Sequence, residues 1–164
     1  GENITVVFVN NAVYGMTGGQ VAPTTPAGLK TMTSPYGSIE NTFDICRLAE
    51  AAGATFVARW TVYQTRQITR TVKKALTRKG FSLIEVVSHC PVQFGRKTGM
   101  GSSTKMLDWL KDSSIPAAAA QSLTSEERAS KIVIGEFVEI TKPVLSEELD
   151  ALRHRIREDA DGTQ

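Results

Sequence analysis

The sequence has few cysteines and no long hydrophobic run. Its two cysteines, Cys46 and Cys90, lie far apart and form neither a dense disulfide framework nor a local CxxC metal motif. The longest purely apolar stretches are far shorter than the roughly 20 residues that span a bilayer, and no signal-peptide pattern opens the sequence. We therefore expect a soluble protein of a reducing compartment, the cytoplasm, with no membrane partner.

A surplus of one charge sign is also lacking. Nineteen Lys and Arg residues against 17 Asp and Glu leave a formal net charge of +2, so no concentrated basic surface points to nucleic acid as a partner. With 164 residues, 41% of them apolar, the sequence is long enough for one hydrophobic core. We expect a single domain over residues 1–164, in which residues 112–164 form a less regular C-terminal extension.

Short apolar segments alternate with amphipathic segments along the sequence. Predicted strands cover residues 4–9, 55–60, 81–87 and 131–140. Two predicted helices end at Gly53 and Gly80, a third covers residues 104–111, and a last one, capped by Ser146, follows Leu145, Leu149, Leu152 and Ile156. This alternation is typical of βαβ units. It predicts an α/β fold of three layers around a mostly parallel sheet.

The first predicted strand, residues 4–9 (ITVVFV), is apolar or β-branched throughout, which indicates a central strand covered on both faces. Such a strand needs hydrogen-bond partners at both edges. We therefore expect a preceding segment or a partner chain to supply more sheet. Residues 10–41, which follow, are rich in glycine, proline and threonine and are too long for an ordinary connection, which favours a functional loop.

Residues 10–20 (NNAVYGMTGGQ), called the motif below, follow the carboxyl end of this strand, where α/β sheets bind their ligands. Asparagine oxygens and backbone carbonyls suit a hard cation such as Mg²⁺. Gly15, Gly18 and Gly19 would let backbone N–H groups approach a phosphate, and Thr17 adds a hydroxyl. By composition alone, a metal and diphosphate site and a plain glycine-rich turn both remain open.

The motif, followed by Pro23, Thr24 and Thr25, resembles the cofactor motif of the β subunits of 2-oxoacid:ferredoxin oxidoreductases. Residues 34–61 and 81–91 resemble the 2-oxoglutarate branch, although pyruvate and branched-chain oxoacids stay open as substrates. The resemblance fades after Lys111 and implies a partial thiamin-diphosphate-binding fold. The GDG half of the family's bipartite motif, which supplies an aspartate to the metal, is not in this sequence.

The same resemblance implies a heteromeric enzyme that converts a 2-oxoacid and coenzyme A to an acyl-CoA and passes electrons to ferredoxin. It assigns no catalytic side chain to this sequence. In the family pattern, Mg²⁺ is bound by the side chain of Asn11 and the carbonyl of Val13. The residues that would border the diphosphate and the thiazolium ring, or line the same wall, are Gly15, Met16, Thr17 and Tyr14.

The cysteines, one histidine and a basic loop have competing interpretations. Cys90 matches the last of four cysteines that hold a 4Fe-4S cluster in the resembled subunits, and a strand-end thiol without metal is equally open. Cys46 is interpreted as a buried structural thiol, and His89 as a hydrogen-bonded or solvated side chain. Arg96 and Lys97 belong to a basic surface loop that would attract an anionic oxoacid or ferredoxin.

Two other functions remain open at this stage. The absence of the GDG aspartate favours a split or truncated piece that assembles with other subunits without holding cofactor itself. A phosphate-binding α/β domain of unrelated function would share the glycine-rich loop but not the rest of the motif. Thiamin diphosphate binding by the completed assembly separates these possibilities.

Overall fold

The computed structural model describes residues 2–161, which form one five-stranded sheet flanked by helices and a separate two-stranded ribbon. The strands are β1 (Ile4–Asn10), β2 (Val13–Tyr14), β3 (Gln20–Val21), β4 (Phe56–Thr61), β5 (Phe81–Val87), β6 (Ser114–Pro116) and β7 (Ile132–Glu139). The helices are α1 (Ile45–Ala51), α2 (Thr65–Leu76), α3 (Ser103–Ser113), α4 (Ala117–Ala120), α5 (Ser125–Ala129) and α6 (Leu145–Asp161). One turn of π-helix covers Pro91–Gly95.

The strand order in the main sheet is β1-β5-β4-β7-β6. Strands β1, β5 and β4 are mutually parallel, β7 runs antiparallel to β4, and β6 runs parallel to β7. The prediction of an α/β fold with a mostly parallel sheet is therefore confirmed. Register pairs both Asn10 and Thr61 with Val87, so three strands end side by side at one edge of the sheet.

Successive side chains of a strand point to opposite faces of the sheet, so both faces of this sheet carry apolar side chains. Helices cover both faces. On one face, Val57 and Leu83 pack with Cys46 and Ala49 of α1. On the other face, Phe56 and the strand residues around it pack against α2. Full burial of an aliphatic or aromatic side chain such as Phe56 contributes about 1.5–3 kcal/mol. The three predicted layers are thus present.

One predicted helix end is confirmed and one is shifted. α1 begins after Asp44, whose carboxylate accepts hydrogen bonds from the N–H groups of Cys46 and Arg47, and Gly53 follows the C-cap residue Ala52 as predicted. α2 ends at Leu76, and Gly80 lies instead in the turn that enters β5. Gly80 has a φ of 91°, and a Cβ there would lie 2.6 Å from the Thr55 hydroxyl oxygen. Only glycine fits that turn without strain.

The prediction that the first strand is central and covered on both faces is wrong for the described residues. β1 lies at the edge of the sheet and pairs with β5 alone. The side chains of Ile4 and Val9 are 52% and 55% exposed. An apolar run indicates strand propensity and a preference for burial, but it does not identify which strands lie beside it.

The C-terminal part contributes to the sheet as well as extending beyond it. β7 is inserted beside β4, and the alanine run forms the single turn α4. α6 begins at Leu145, so Ser146 lies inside its first turn and is not the N-cap; the Glu147 side chain instead accepts a hydrogen bond from the Val144 N–H at 3.3 Å. Among residues 2–161, no helix is both long and apolar enough to cross a membrane.

Candidate functional site

The motif begins where β1 ends and lines an open cleft of about 310 Å³. The cleft is also lined by the last residues of β1 and by Ala22 and Thr24. All the residues predicted to contact the cofactor or its metal line this cleft: Asn11, Val13, Tyr14, Gly15, Met16 and Thr17. The structure therefore brings these residues together at the carboxyl edge of the parallel strands, and their roles toward a cofactor stay predictions.

The two asparagines at the start of the motif differ in hydrogen bonding. The Asn10 carboxamide donates to Glu85 Oε1 at 2.8 Å and accepts from the Ala12 N–H at 2.9 Å and the Thr24 hydroxyl at 2.8 Å. Asn11 is half-buried, and none of the hydrogen bonds described for residues 2–161 uses its carboxamide. Asn11, and not Asn10, therefore has a side-chain oxygen available for a metal ion.

The backbone between the two predicted metal ligands is held on both sides. Ala12 has a φ of 60°, a left-handed conformation that costs a non-glycine residue about 1–2 kcal/mol. The buried Thr25 hydroxyl donates to the Ala12 carbonyl at 2.6 Å and compensates part of this cost. The Val13 side chain packs in a buried cluster with Phe94 and Met106. These contacts fix the direction of the backbone at Val13.

The glycine turn satisfies some of its own amides. The Gly19 N–H donates to the Tyr14 carbonyl at 2.8 Å and the Gly18 N–H to the Gly15 carbonyl at 3.4 Å. These two amides were expected to bind a phosphate, but both are already used within the turn. In the part of the chain that the structure describes, the N–H groups of residues 15–17 donate to no acceptor. The amides available to an anion are thus those at Gly15 and the two residues after it.

Side chains around the turn restrict it further. The Thr17 hydroxyl donates to Gln20 Oε1 at 2.6 Å, and the Gln20 amide nitrogen donates back to the Thr17 carbonyl at 2.6 Å. The hydroxyl proton predicted for a phosphate is therefore used within the turn. Met16 is fully exposed and Tyr14 is about half exposed, so both present apolar surface at the mouth of the cleft.

The segment after β5 packs directly against the motif. A Cβ added at Gly19, which has a φ of 90°, would lie 2.8 Å from Gln93 Oε1, and one added at Gly15 would lie 3.3 Å from Cys90 Sγ. The half-buried Cys90 sulfur accepts a hydrogen bond from the Gln93 N–H at 3.4 Å. N–H···S bonds of this kind tune sulfur ligands of iron. Among residues 2–161, no group of three or more His, Cys, Asp or Glu residues could hold a metal.

The other thiol and the histidine are both buried. Cys46, on the buried face of α1, lies in the core and donates to Glu85 Oε2 at 3.2 Å, which confirms the structural interpretation; burial raises the pKa of this thiol. His89 stacks on Phe94 at 4.1 Å and lies 5.0 Å from Trp109. Its Nδ1 has no hydrogen-bond partner among the described atoms, so the expectation of a solvated or satisfied histidine is wrong. Burial lowers the pKa of His89 to about 4.

We expect His89 to make folding sensitive to mild acid. Its folded-state pKa of about 4 lies below the ordinary 6.5, so the neutral ring stabilises the fold above pH 6.5 and this contribution is lost as pH falls toward 4. Between pH 7.5 and 4.5 the loss is about 2.5 kcal/mol. Urea unfolding at the two pH values measures it. His89→Phe should remove this part of the loss and exposed His154→Gln should not; equal losses in all three proteins would contradict the expectation.

Sequence reasoning missed two features of the site. The first is the π-helical turn at Pro91–Gly95, a type of turn that is frequent at functional sites but has no sequence pattern of its own. The second is the buried carboxylate of Glu85, which reaches the motif through Asn10. A lone glutamate in the middle of an apolar strand (FSLIEVV) was a usable signal, because charged side chains are rarely buried without a partner. Arg96 and Lys97 are exposed, as predicted, but they continue the helical turn after Gly95 and do not lie in an irregular loop.

Comparison with known proteins gives the relationships of the chain. Residues 1–86 match the family described as thiamine pyrophosphate enzyme, C-terminal TPP binding domain, where TPP is thiamin diphosphate. The 2-oxoglutarate synthase subunit KorB of Methanocaldococcus jannaschii is 50% identical over 155 residues, which cover 94% of this chain and 57% of that subunit. Its counterpart from Methanothermobacter marburgensis is 44% identical over 147 residues, covering 90% and 52%. The chain thus spans about half the length of the curated relatives it matches.

A solved structure agrees with these relatives. The 2-oxoglutarate:ferredoxin oxidoreductase from Magnetococcus marinus, with 2-oxoglutarate, coenzyme A and succinyl-CoA bound, superposes with a TM-score of 0.75 at 26% identity, over 94% of this chain and 53% of that chain. The resemblance to 2-oxoacid:ferredoxin oxidoreductase β subunits is confirmed by the sequences and by this fold. By the match over residues 1–86, the chain belongs to the thiamine pyrophosphate enzyme family, of which it carries a C-terminal cofactor-binding domain.

Proposed function

We propose that the chain is the cofactor-binding part of the β subunit of a cytoplasmic 2-oxoacid:ferredoxin oxidoreductase, with 2-oxoglutarate as the preferred substrate. The enzyme would oxidatively decarboxylate the oxoacid, form an acyl-CoA from coenzyme A, and transfer electrons to ferredoxin. The observation that carries the proposal is the cleft at the end of β1, which gathers an unengaged Asn11 carboxamide and three free backbone amides. Pyruvate and branched-chain oxoacids remain alternative substrates.

The donor set of the cleft fits thiamin diphosphate and Mg²⁺. Mg²⁺ accepts one or two protein oxygens and completes its octahedron with phosphate oxygens and water. The Asn11 side chain and the Val13 carbonyl would supply the protein oxygens. The free N–H groups of Gly15, Met16 and Thr17 would donate to the diphosphate, as consecutive amides of a turn do for anions.

When bound, thiamin diphosphate supplies the carbon nucleophile and the electron sink that decarboxylation requires. The residues of this chain would hold and orient the cofactor. Asn11 and Val13 would fix the diphosphate end, while the exposed Met16 and Tyr14 would cover the mouth of the cleft and exclude water near the reacting ring. No side chain of this chain is assigned to proton transfer.

We propose further that β1 pairs with a strand supplied by the rest of the β subunit or by a companion chain. Its outer edge offers unpaired N–H and C=O groups, and its apolar side chains are about half exposed. The same companion would bring the carboxylate that completes the metal site. The exposed Arg96 and Lys97 would attract anionic partners such as an oxoacid or an acidic ferredoxin.

A second candidate function is a non-catalytic assembly piece. The observation that favours it is that residues 2–161 contain no group of three or more metal-binding side chains. Calorimetric titration with thiamin diphosphate, in Mg²⁺ or in a chelator, separates the two candidates when it is done on the chain alone and on the complete assembly. The proposed enzyme binds the cofactor in the assembly and only with Mg²⁺. Failure of the assembly to bind it under either condition would refute the enzyme and leave the assembly piece.

The role of Cys90 as a ligand of a 4Fe-4S cluster is a separate proposal. We expect Cys90→Ser to remove most of the visible absorbance and iron of the assembled enzyme, because the oxygen replaces one of four thiolate ligands. The matched control is Cys46→Ser, since this thiol lies in the core and contacts Glu85. The control should retain its iron. A full iron content in Cys90→Ser would show that this thiol does not bind the cluster.

A further inference from the structure

The Glu85 carboxylate lies within the main sheet, on β5, and both of its oxygens accept hydrogen bonds. It is 2% exposed. Its Oε1 accepts from the Asn10 carboxamide at 2.8 Å, and its Oε2 accepts from Arg59 Nε at 2.6 Å and from Cys46 Sγ at 3.2 Å. A buried carboxylate is tolerated only where such partners replace water. Its place beside Arg59 follows from the register of β4 and β5, which pairs the two residues.

Arg59 extends these contacts to the start of α1. Its Nη2 donates to Asp44 Oδ1 at 2.6 Å, and Asp44 in turn caps α1. Burial by itself would lower the pKa of Arg59, but the carboxylates of Glu85 and Asp44 raise it above its ordinary value, so the guanidinium stays charged. These contacts form a buried polar network, which consists of Asp44, Arg59, Glu85 and Asn10. The network connects the start of α1 with the end of β1.

The network dictates how the Asn10 carboxamide is turned. A carboxylate can only accept, so the nitrogen of Asn10 must face Glu85 and its oxygen must face the opposite way. That oxygen accepts from the Ala12 N–H and from the Thr24 hydroxyl. The Ala12 contact closes a two-residue turn around Asn11. The orientation of Asn11 thus depends on a charge buried in the sheet.

We propose that Asn10 and Glu85 are positioning residues for Mg²⁺, which hold Asn11 and the Val13 carbonyl in place before the metal arrives. The inference rests on the proposed function, because it assumes that these two groups bind Mg²⁺. Residues behind metal ligands raise affinity by fixing ligand orientation, and their loss weakens metal binding about 10- to 100-fold. Neither residue would be a ligand of the metal, and each would act through the turn at Ala12, whose N–H donates to the Asn10 carboxamide that Glu85 holds.

The test measures thiamin diphosphate binding by the assembled enzyme over a range of Mg²⁺ concentrations. Asn10→Ala should raise the Mg²⁺ concentration for half-maximal binding about 10- to 100-fold. Cys46→Ala is the matched control, since it removes a partner of the same Glu85 carboxylate on the side away from Asn10. It should lower the thermal unfolding temperature and leave the Mg²⁺ requirement within about twofold of wild type.

A donor and acceptor exchange gives a sharper test. In Asn10→Asp or in Glu85→Gln alone, the pairing of donor with acceptor is broken, and the Mg²⁺ requirement should rise about tenfold or more. Combining the two changes restores the pairing in reverse, because the new amide donates to the new carboxylate. The double variant should return to within about threefold of wild type. If the added carboxylate improved Mg²⁺ binding by its charge alone, the single change Asn10→Asp would already lower the Mg²⁺ requirement.

The outcomes separate this inference from the proposed function. If wild type binds thiamin diphosphate without any need for Mg²⁺, or does not bind it, the proposed function fails. If Asn11→Ala raises the Mg²⁺ requirement while Asn10→Ala and Glu85→Gln leave it unchanged, the function stands and the positioning role is overturned. The role is also overturned if Cys46→Ala has the same effect as Asn10→Ala, since general loosening of the fold would then explain both.

Discussion

Replacing Asn11 by alanine in the assembled enzyme is expected to weaken Mg²⁺-dependent binding of thiamin diphosphate about 100-fold. The variant removes a direct oxygen ligand, so its effect should reach the upper end of the range seen for residues behind metal ligands. Calorimetry at fixed cofactor and varied Mg²⁺ measures the change. Within residues 2–161 the Asn11 carboxamide makes no described hydrogen bond, so unfolding free energy should stay within about 0.5 kcal/mol of wild type.

The unchanged stability separates a lost ligand from a damaged fold. Asn41→Ala serves as the chemically matched control, because it removes another carboxamide from an exposed position in the same long loop. It should bind cofactor as wild type does. Asn11→Asp should retain Mg²⁺-dependent binding, since a carboxylate oxygen also suits this cation. Retention of the cofactor in Asn11→Ala at wild-type Mg²⁺ would remove Asn11 from the metal site.

Sequence periodicity located the parallel strands and the helices between them with small boundary errors. Residues 81–87 were predicted as a strand and form β5 with the same limits. The helix predicted to end at Gly53 is α1, and its start is set by Asp44, whose side chain accepts hydrogen bonds from the first free amides. Periodicity reports which face a segment buries, and the capping side chain decides where the segment begins.

The place of each strand in the sheet was less accessible to sequence reasoning. β1 has the composition of a central strand but lies at the edge of the described sheet. β7 was predicted as a strand over residues 131–140, and the structure places it between β4 and β6. Local sequence sets strand propensity, whereas neighbours are chosen by packing over the whole domain. A pattern of apolar residues cannot report a partner that lies outside it.

For the candidate site, the sequence identified the right segment but did not show which of its residues could bind a metal or a phosphate. The residues from Asn11 to Thr17 line one cleft, as a loop at a strand end predicts. Which asparagine is free, and which amides remain unpaired, depends on hydrogen bonds to Glu85 and Tyr14 that only the fold creates. The identity of the cofactor came from the family resemblance and not from the pattern of glycines.

The largest loss of stability is expected for Arg59→Met. Arg59 is 15% exposed and bridges Glu85 and Asp44 at 2.6 Å each, so its removal leaves a buried carboxylate without its charged partner. Breaking a buried ion pair from one side costs about 3–5 kcal/mol. This is a large part of the roughly 5–15 kcal/mol that stabilises a typical domain. Urea unfolding at pH 7 measures the loss.

The surface pair at the other side of Asp44 supplies the control. Arg47 lies 3.9 Å from this carboxylate and is 73% exposed, so Arg47→Met should cost less than about 1 kcal/mol. Adding Glu85→Leu to Arg59→Met should recover part of the loss, because replacing a buried pair by apolar side chains removes the uncompensated charge. Similar losses for Arg47→Met and Arg59→Met would mean that the guanidinium does not stabilise Glu85. The double variant should still bind Mg²⁺ more weakly than wild type even where its stability is recovered, since leucine cannot orient Asn10.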